Sequence, residues 1–197
     1  MTHLRPLDLD EVDDPEILAM WEAGIKKRGF VVNAARTMAR RPEILKAYTA
    51  LNNAVMYSGT VDGELKMLIT LVRSVASGCR YCQSHMANLS SRFGASDEKI
   101  QALWNFEESD LFTDAERAAV RVAFKAGSLP NEVEAEDIEE LKKYFDEGEI
   151  IEIVACICLF GWLNCWNETL ATQVEDVAAE AAAKSIGPMG WESGKHA

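Results

Sequence analysis

The chain reads as a series of amphipathic segments of helical period, separated by short breaks that carry caps and glycines. Asp14-Pro15 sets an N-cap before a proline at the first helical position, and Gly29 ends that segment. Pro42 opens a second helix to about Tyr57, which Ser58-Gly59-Thr60 breaks. Asp62 caps a third, in which Leu65, Leu68, Ile69, Val72 and Ala76 recur at helical spacing. Ser77-Gly78 interrupts the pattern, and the next helix is expected from there to Phe93, with Gly94 as its stop.

Ser96 starts a short helix to about Trp104. Thr113-Asp114-Ala115-Glu116 is a capping box for a helix running to Gly127. Ala135 to Phe145 reads as an acidic helix. Gly148 then separates it from a long apolar one through Ile150, Ile153, Val154, Ile157, Leu159 and Leu163. No stretch alternates with a period of two long enough to form a sheet. The expected fold is therefore all-α, a single compact domain over residues 1–197 with about seven or eight helices. A short N-terminal segment precedes it. The tail from Ala178, with Gly187, Pro188, Gly190 and Gly194, is expected to end as an extended arm.

Charge narrows the function classes. Thirty-two Asp and Glu against twenty Lys and Arg leave a formal net charge of −12. No basic stripe is present, so nucleic acid is not an expected partner, and an anionic membrane surface is disfavoured. The apolar run from Ile150 to Trp166 contains Glu152 and Asn164. Its uncharged part falls short of the ~20 residues that span a bilayer, so it is expected to be a core helix. The acidic N-terminal segment lacks the apolar core of an export signal. The five cysteines are accordingly expected as thiols in a cytoplasmic, reducing setting.

The chemistry concentrates in Cys79-Arg80-Tyr81-Cys82-Gln83-Ser84-His85. On a helix these offsets line Cys79, Cys82 and His85 along one face. A thiolate stabilised at a helix start can attack a peroxide oxygen, and a second thiol can condense with the resulting sulfenic acid to give a disulfide. His85 is the natural proton partner for Cys82. A structural zinc site would need a fourth ligand, and a c-type haem needs histidine directly after the second cysteine, where Gln83 stands. No metal and no cofactor are expected. Cys156, Cys158 and Cys165 lie on the apolar helix and read as packing residues. Asn164 and Asn167, polar amides in the same helix, need hydrogen-bond partners and are candidates to line the thiol pocket.

These residues carry a resemblance. The chain resembles the carboxymuconolactone decarboxylase and alkylhydroperoxidase D-like superfamily, and most of all its peroxidase-related branch. The carrying stretches are Gly78 to His85, Phe112 to Ala119, Glu149 to Ile153, Leu163 to Asn167 and Gly190 to His196. The resemblance implies a helical homo-oligomer, a dimer, trimer or hexamer, that reduces hydroperoxides with electrons from a dithiol reductant. It implies that Cys82 is the attacking thiol, Cys79 the resolving thiol and His85 the proton handler. Two departures accompany it. The best-known peroxidase members place a glutamate twelve residues before the first cysteine, where this chain has Met67, and Cys165 stands where relatives often carry arginine. Glu64, Arg73, Ser74 and Tyr81 are the nearby side chains that could support the site instead. Other readings from the same pattern are a redox-sensing or non-catalytic oligomer that binds a small ligand, and a decarboxylase.

Overall fold

A computed structural model describes residues 2–197, with the backbone alone at residues 27 and 28. Ten α-helices follow in order among the described residues: α1 (Pro15–Arg28), α2 (Asn33–Met38), α3 (Pro42–Tyr57), α4 (Gly63–Ala76), α5 (Arg80–Arg92), α6 (Asp97–Ala102), α7 (Asp114–Lys125), α8 (Ala135–Leu141), α9 (Glu147–Leu170) and α10 (Asp176–Ser185). No strand occurs among the described residues. Helix α4 is the central post, packed against α5, α7 and α9, while α10 lies along α5. Its residues from Leu65 to Val72 are buried without interruption.

The capping signals place most boundaries. Asp14 accepts the Glu16 and Ile17 amides, Asp62 accepts those of Glu64 and Leu65, and Thr113 forms its capping box with Glu116. Three expectations are corrected. Gly148 does not separate elements: Asp146 forms a capping box with Glu149, and α9 runs through Gly148 from Glu147. The acidic helix α8 stops at Leu141, earlier than Phe145. The tail is not an extended arm. An alanine-rich run from residue 178 can hide small side chains against a neighbour, and here it forms α10, with Ala178 and Ala182 fully buried. Beyond it, two 3-10 turns fold back so that Trp191 and His196 are buried as well. The short α2 went unpredicted because no side chain caps it.

Helix α9 is long and apolar enough to cross a membrane by length and composition. In this fold it is a core helix, packed on α3, α4 and α5, with Ile153 and Cys156 fully buried.

A buried ion pair ties α4 to α9. The Lys66 ammonium is almost fully buried and meets Glu152 at 2.8 Å, the Val55 carbonyl at 3.1 Å and the Ser58 carbonyl at 2.5 Å. Glu152 also accepts the Thr60 and Val61 amides. Gly59 has φ +86°, and a β-carbon there would lie 2.2 Å from the Glu152 carboxylate, so only glycine fits. Burial raises the Glu152 pKa, but Lys66 and the two amides outweigh it and bring it to about 2. An unfolded glutamate titrates near ~4.3, so this stabilisation is complete above that pH and fades as pH falls through the folded value. Glu152→Ala is expected to cost about 3–5 kcal/mol, because it leaves a buried ammonium unpaired. Chemical denaturation at neutral pH checks this.

Candidate active site

The turn between α4 and α5 positions the thiols. Helix α4 ends in a Schellman motif: the Gly78 amide donates to the Val75 carbonyl and the Cys79 amide to the Ser74 carbonyl, each at 3.0 Å. Gly78 supplies the left-handed residue, with φ +74°. Cys79 therefore becomes the N-cap of α5, not a residue of its first turn, and Cys82 takes the third helical position. Cys82 thus lies at the positive end of the helix. Both thiols are buried and unoxidised.

The two sulfurs differ in surroundings. Cys79 hydrogen-bonds Cys82, and this bond together with burial pushes its thiol pKa far above the usual value. Cys82 accepts the Asn167 Nδ2–H at 3.4 Å. Arg73, whose own pKa is lowered by burial, lies close enough to act on Cys82 through its charge.

His85 follows on the same helix, one turn beyond Cys82, and its Nε2 lies 2.7 Å from Glu175. Glu175 is the N-cap of α10. One of its oxygens also receives the Tyr81 hydroxyl at 3.1 Å and the Asn33 amide. Burial raises the Glu175 pKa, but His85 and the Asn33 amide outweigh it and hold it below the ordinary carboxylate value. An ionised carboxylate only accepts, so Nε2 of a neutral His85 carries its proton and Nδ1 is the basic atom. Tyr81 completes the support. Its ring centroid is 4.6 Å from that of His85, its oxygen accepts the Ala34 amide at 3.3 Å, and burial raises its pKa so that it stays a phenol.

The other proposed supports divide. Ser74 and Asn164 brace the wall behind the thiols: Asn164 Nδ2 donates to Ser74 Oγ at 3.1 Å, and Ser77 donates to Asn164 Oδ1 at 2.8 Å. Ser77 also receives Arg73. Glu64 is not brought to the site. It binds Lys99 at 2.7 Å at the far end of α4. Met67 is fully buried in the core, where an ionised glutamate would need a partner of its own. Glu175 was missed in the sequence because it lies ninety residues beyond His85 and precedes a helix with no other strong cap signal.

Cys82 and His85 open onto a cavity of about 310 Å³. Its walls are largely aromatic and aliphatic, with Phe30, Tyr48, Tyr57, Phe160 and Leu163, while Asn52, Asn88, Asn167 and Arg92 supply polar groups. Asn167 Oδ1 is buried and has no hydrogen-bond partner among the described residues. A small, mostly apolar substrate with one polar group suits such a space.

This fold and thiol site define a known class. Residues 42–125 match the model of the carboxymuconolactone decarboxylase family. The chain belongs to the carboxymuconolactone decarboxylase and alkylhydroperoxidase D-like superfamily. The debrominase Bmp8 in its apo form is 30% identical over 92% of this chain and 96% of its own, with a TM-score of 0.83. A cysteine-to-alanine variant of Bmp8 in complex with 2,3,4-tribromopyrrole is 29% identical over 93% of this chain and 97% of its own, with a TM-score of 0.84. A peroxidase-related protein from Ralstonia eutropha JMP134, at 24% identity over 90% of this chain and 94% of its own, shares the fold with a TM-score of 0.77. The superfamily's members include enzymes, among them peroxidase-related proteins and a debrominase.

Proposed function

We propose that the protein is a thiol-dependent two-electron reductase whose substrates are small apolar hydroperoxides. The observation that carries this reading is the asymmetric thiol pair, with Cys82 on the cavity wall beside the His85–Glu175 pair and Cys79 hydrogen-bonded behind it. The Cys82 thiolate attacks the outer peroxide oxygen, the O–O bond breaks, and the alkoxide leaves with the electron pair, taking the proton held by His85. Asn167 Oδ1 can accept the hydroperoxide hydrogen and orient the substrate. Cys79 then attacks the sulfenic sulfur and water departs. A dithiol reduces the disulfide and completes the cycle in a reducing cytoplasm.

Reduced protein mixed with an aryl alkyl hydroperoxide is expected to yield one alcohol and one Cys79–Cys82 disulfide per chain. Peptide mapping that finds both thiols still reduced after prolonged exposure would exclude the reading.

A second reading keeps the same thiols and exchanges the leaving atom. Bmp8 is a debrominase, and the aromatic cavity here suits a halogenated ring. Replacing carbon-bound bromine by hydrogen consumes the same two electrons, gives the same disulfide and releases bromide. Bromide release from a bromopyrrole, with hydroperoxide inert, would favour it.

A homo-oligomer is part of the proposal. Ile151, Trp162, Cys158 and Cys165 on α9 lie exposed beside Ile44 and Leu51 of α3, an apolar face suited to a second copy. Sedimentation at micromolar concentration should give a multiple of the 21.8 kDa chain mass. A monomer would remove this part.

A further inference from the structure

Cys79 has an acid–base pair of its own, and both members come from the far end of the chain. Glu168 lies in the last turn of α9, and His196 lies in the C-terminal 3-10 turn. The Cys79 sulfur, a Glu168 carboxylate oxygen and a His196 ring nitrogen all lie within 4.8 Å of one another. His196 is fully buried. Its Nδ1 meets the Thr172 carbonyl at 2.8 Å, and a carbonyl only accepts, so Nδ1 carries a proton. Its Nε2 meets Glu168 Oε1 at 2.8 Å, which requires a second proton between them. Lys195 binds the other Glu168 oxygen at 2.5 Å.

The turn is held in place. Trp191 Nε1 donates to the Arg80 carbonyl at 3.0 Å, Arg80 donates to the Gly190 carbonyl at 3.2 Å, and the Val174 amide donates to the His196 carbonyl at 2.8 Å. Tyr81 separates the two imidazoles, its ring centroid 4.6 Å from His85 and 6.3 Å from His196. A sulfur, an imidazole and a carboxylate are also zinc donors, but here the nitrogen and both carboxylate oxygens are already hydrogen-bonded, and the Lys195 ammonium opposes a cation. A proton carrier fits the arrangement better.

We propose that the Glu168 carboxylate, held in place by His196, takes the Cys79 proton when Cys79 closes the disulfide, so that each thiol works with its own histidine–glutamate pair. The inference rests on the assignment of Cys82 as attacking thiol and Cys79 as resolving thiol, but not on the identity of the substrate. In the step, Cys79 attacks Cys82–S–X, the S–S bond forms and the S–X bond breaks. X leaves with the bonding electrons. The thiol proton passes to an unused lone pair of the Glu168 carboxylate and on to water past the partly exposed side chain. Reduction of the disulfide reverses the transfer.

The test uses the full chain with Cys158 and Cys165, the exposed thiols outside the site, changed to serine. One equivalent of dithiobis(nitrobenzoate) is mixed with the reduced protein, and release of the coloured thiolate is followed by stopped flow. The first release reads attack by Cys82, and the second reads closure by Cys79. Glu168→Gln and His196→Gln are expected to slow the second release by about 10²-fold, the scale of a lost proton-transfer partner, and to leave the first nearly unchanged. Glu168→Gln keeps the size of the side chain but not both of its acceptor oxygens, and the first release, read in the same trace, reports any general loss of packing. A second release as fast as the parent's in both variants overturns the proposal. So does equal slowing of both releases, or stoichiometric zinc that the parent retains and the variants lose. A first release that survives Cys82→Ser overturns the assignment of the attacking thiol instead.

Discussion

Cys82→Ser is expected to lower the rate of hydroperoxide reduction by more than about 10³-fold, the scale of losing a covalent nucleophile. A serine hydroxyl at the start of α5 does not ionise near neutral pH, so neither the helix dipole nor His85 can make it an effective nucleophile. Cys79→Ser behaves differently. Its hydroxyl can still donate to Cys82, so the first attack proceeds. Without a second thiol the sulfenic acid has no internal partner, and turnover stops after one equivalent of alcohol. A dimedone adduct at Cys82 in the Cys79→Ser protein, and none in Cys82→Ser, checks the order of events by mass spectrometry. The reverse pattern would make Cys79 the attacking thiol, against the raised pKa that burial and the Cys82 bond give it.

The second large effect is expected at Glu175. Glu175→Gln places an amide where a carboxylate now collects His85, Tyr81 and the Asn33 amide. An amide has one acceptor oxygen, so it cannot receive all three donors and turns a donor toward one of them. His85 then loses the tautomer that leaves Nδ1 basic. The rate of attack by Cys82 should fall by about 10²-fold while the disulfide-closing step is spared. Glu175→Ala should also destabilise the fold by about 1–3 kcal/mol for each buried donor left without a partner. Single-turnover kinetics separate the chemical effect from stability. Equal rates for Glu175→Gln and the parent would show that His85 works without its carboxylate.

The sequence was most legible where local rules govern. Asp14, Asp62 and Thr113 announce helix starts, and their side chains bond the first-turn amides as expected. The row Cys79, Cys82, His85 is equally local, and α5 presents Cys82 and His85 to one cavity. What local pattern could not supply is the set of carboxylates. Upstream of the thiols the reading offered Glu64, on the same helix as the turn that positions them, yet Lys99 holds it elsewhere. The carboxylates that reach the site, Glu168 and Glu175, depend on how α9 ends and α10 begins. The chain passes Ala171 with φ 48°, which turns it out of α9 and back toward α5. Nothing in the periodicity of residues 147–170 foretells that reversal. The tail misled for a related reason: its glycines look like the signature of a loose end, whereas Trp191 and His196 are the anchors that dock it.

The thiols and the groups that reach them from the end of the chain therefore sit on different stretches. Cys79, Cys82 and His85 fall inside the span that matches the family model, while Glu168, Glu175 and His196 fall outside it. Two proteins can share the recognisable thiol segment unchanged and still differ in which sulfur is quick, which step is slow and at what acidity each runs. The diversity of chemistry on this helical frame can then arise by editing the region after the motif, with the motif itself left as a constant handle.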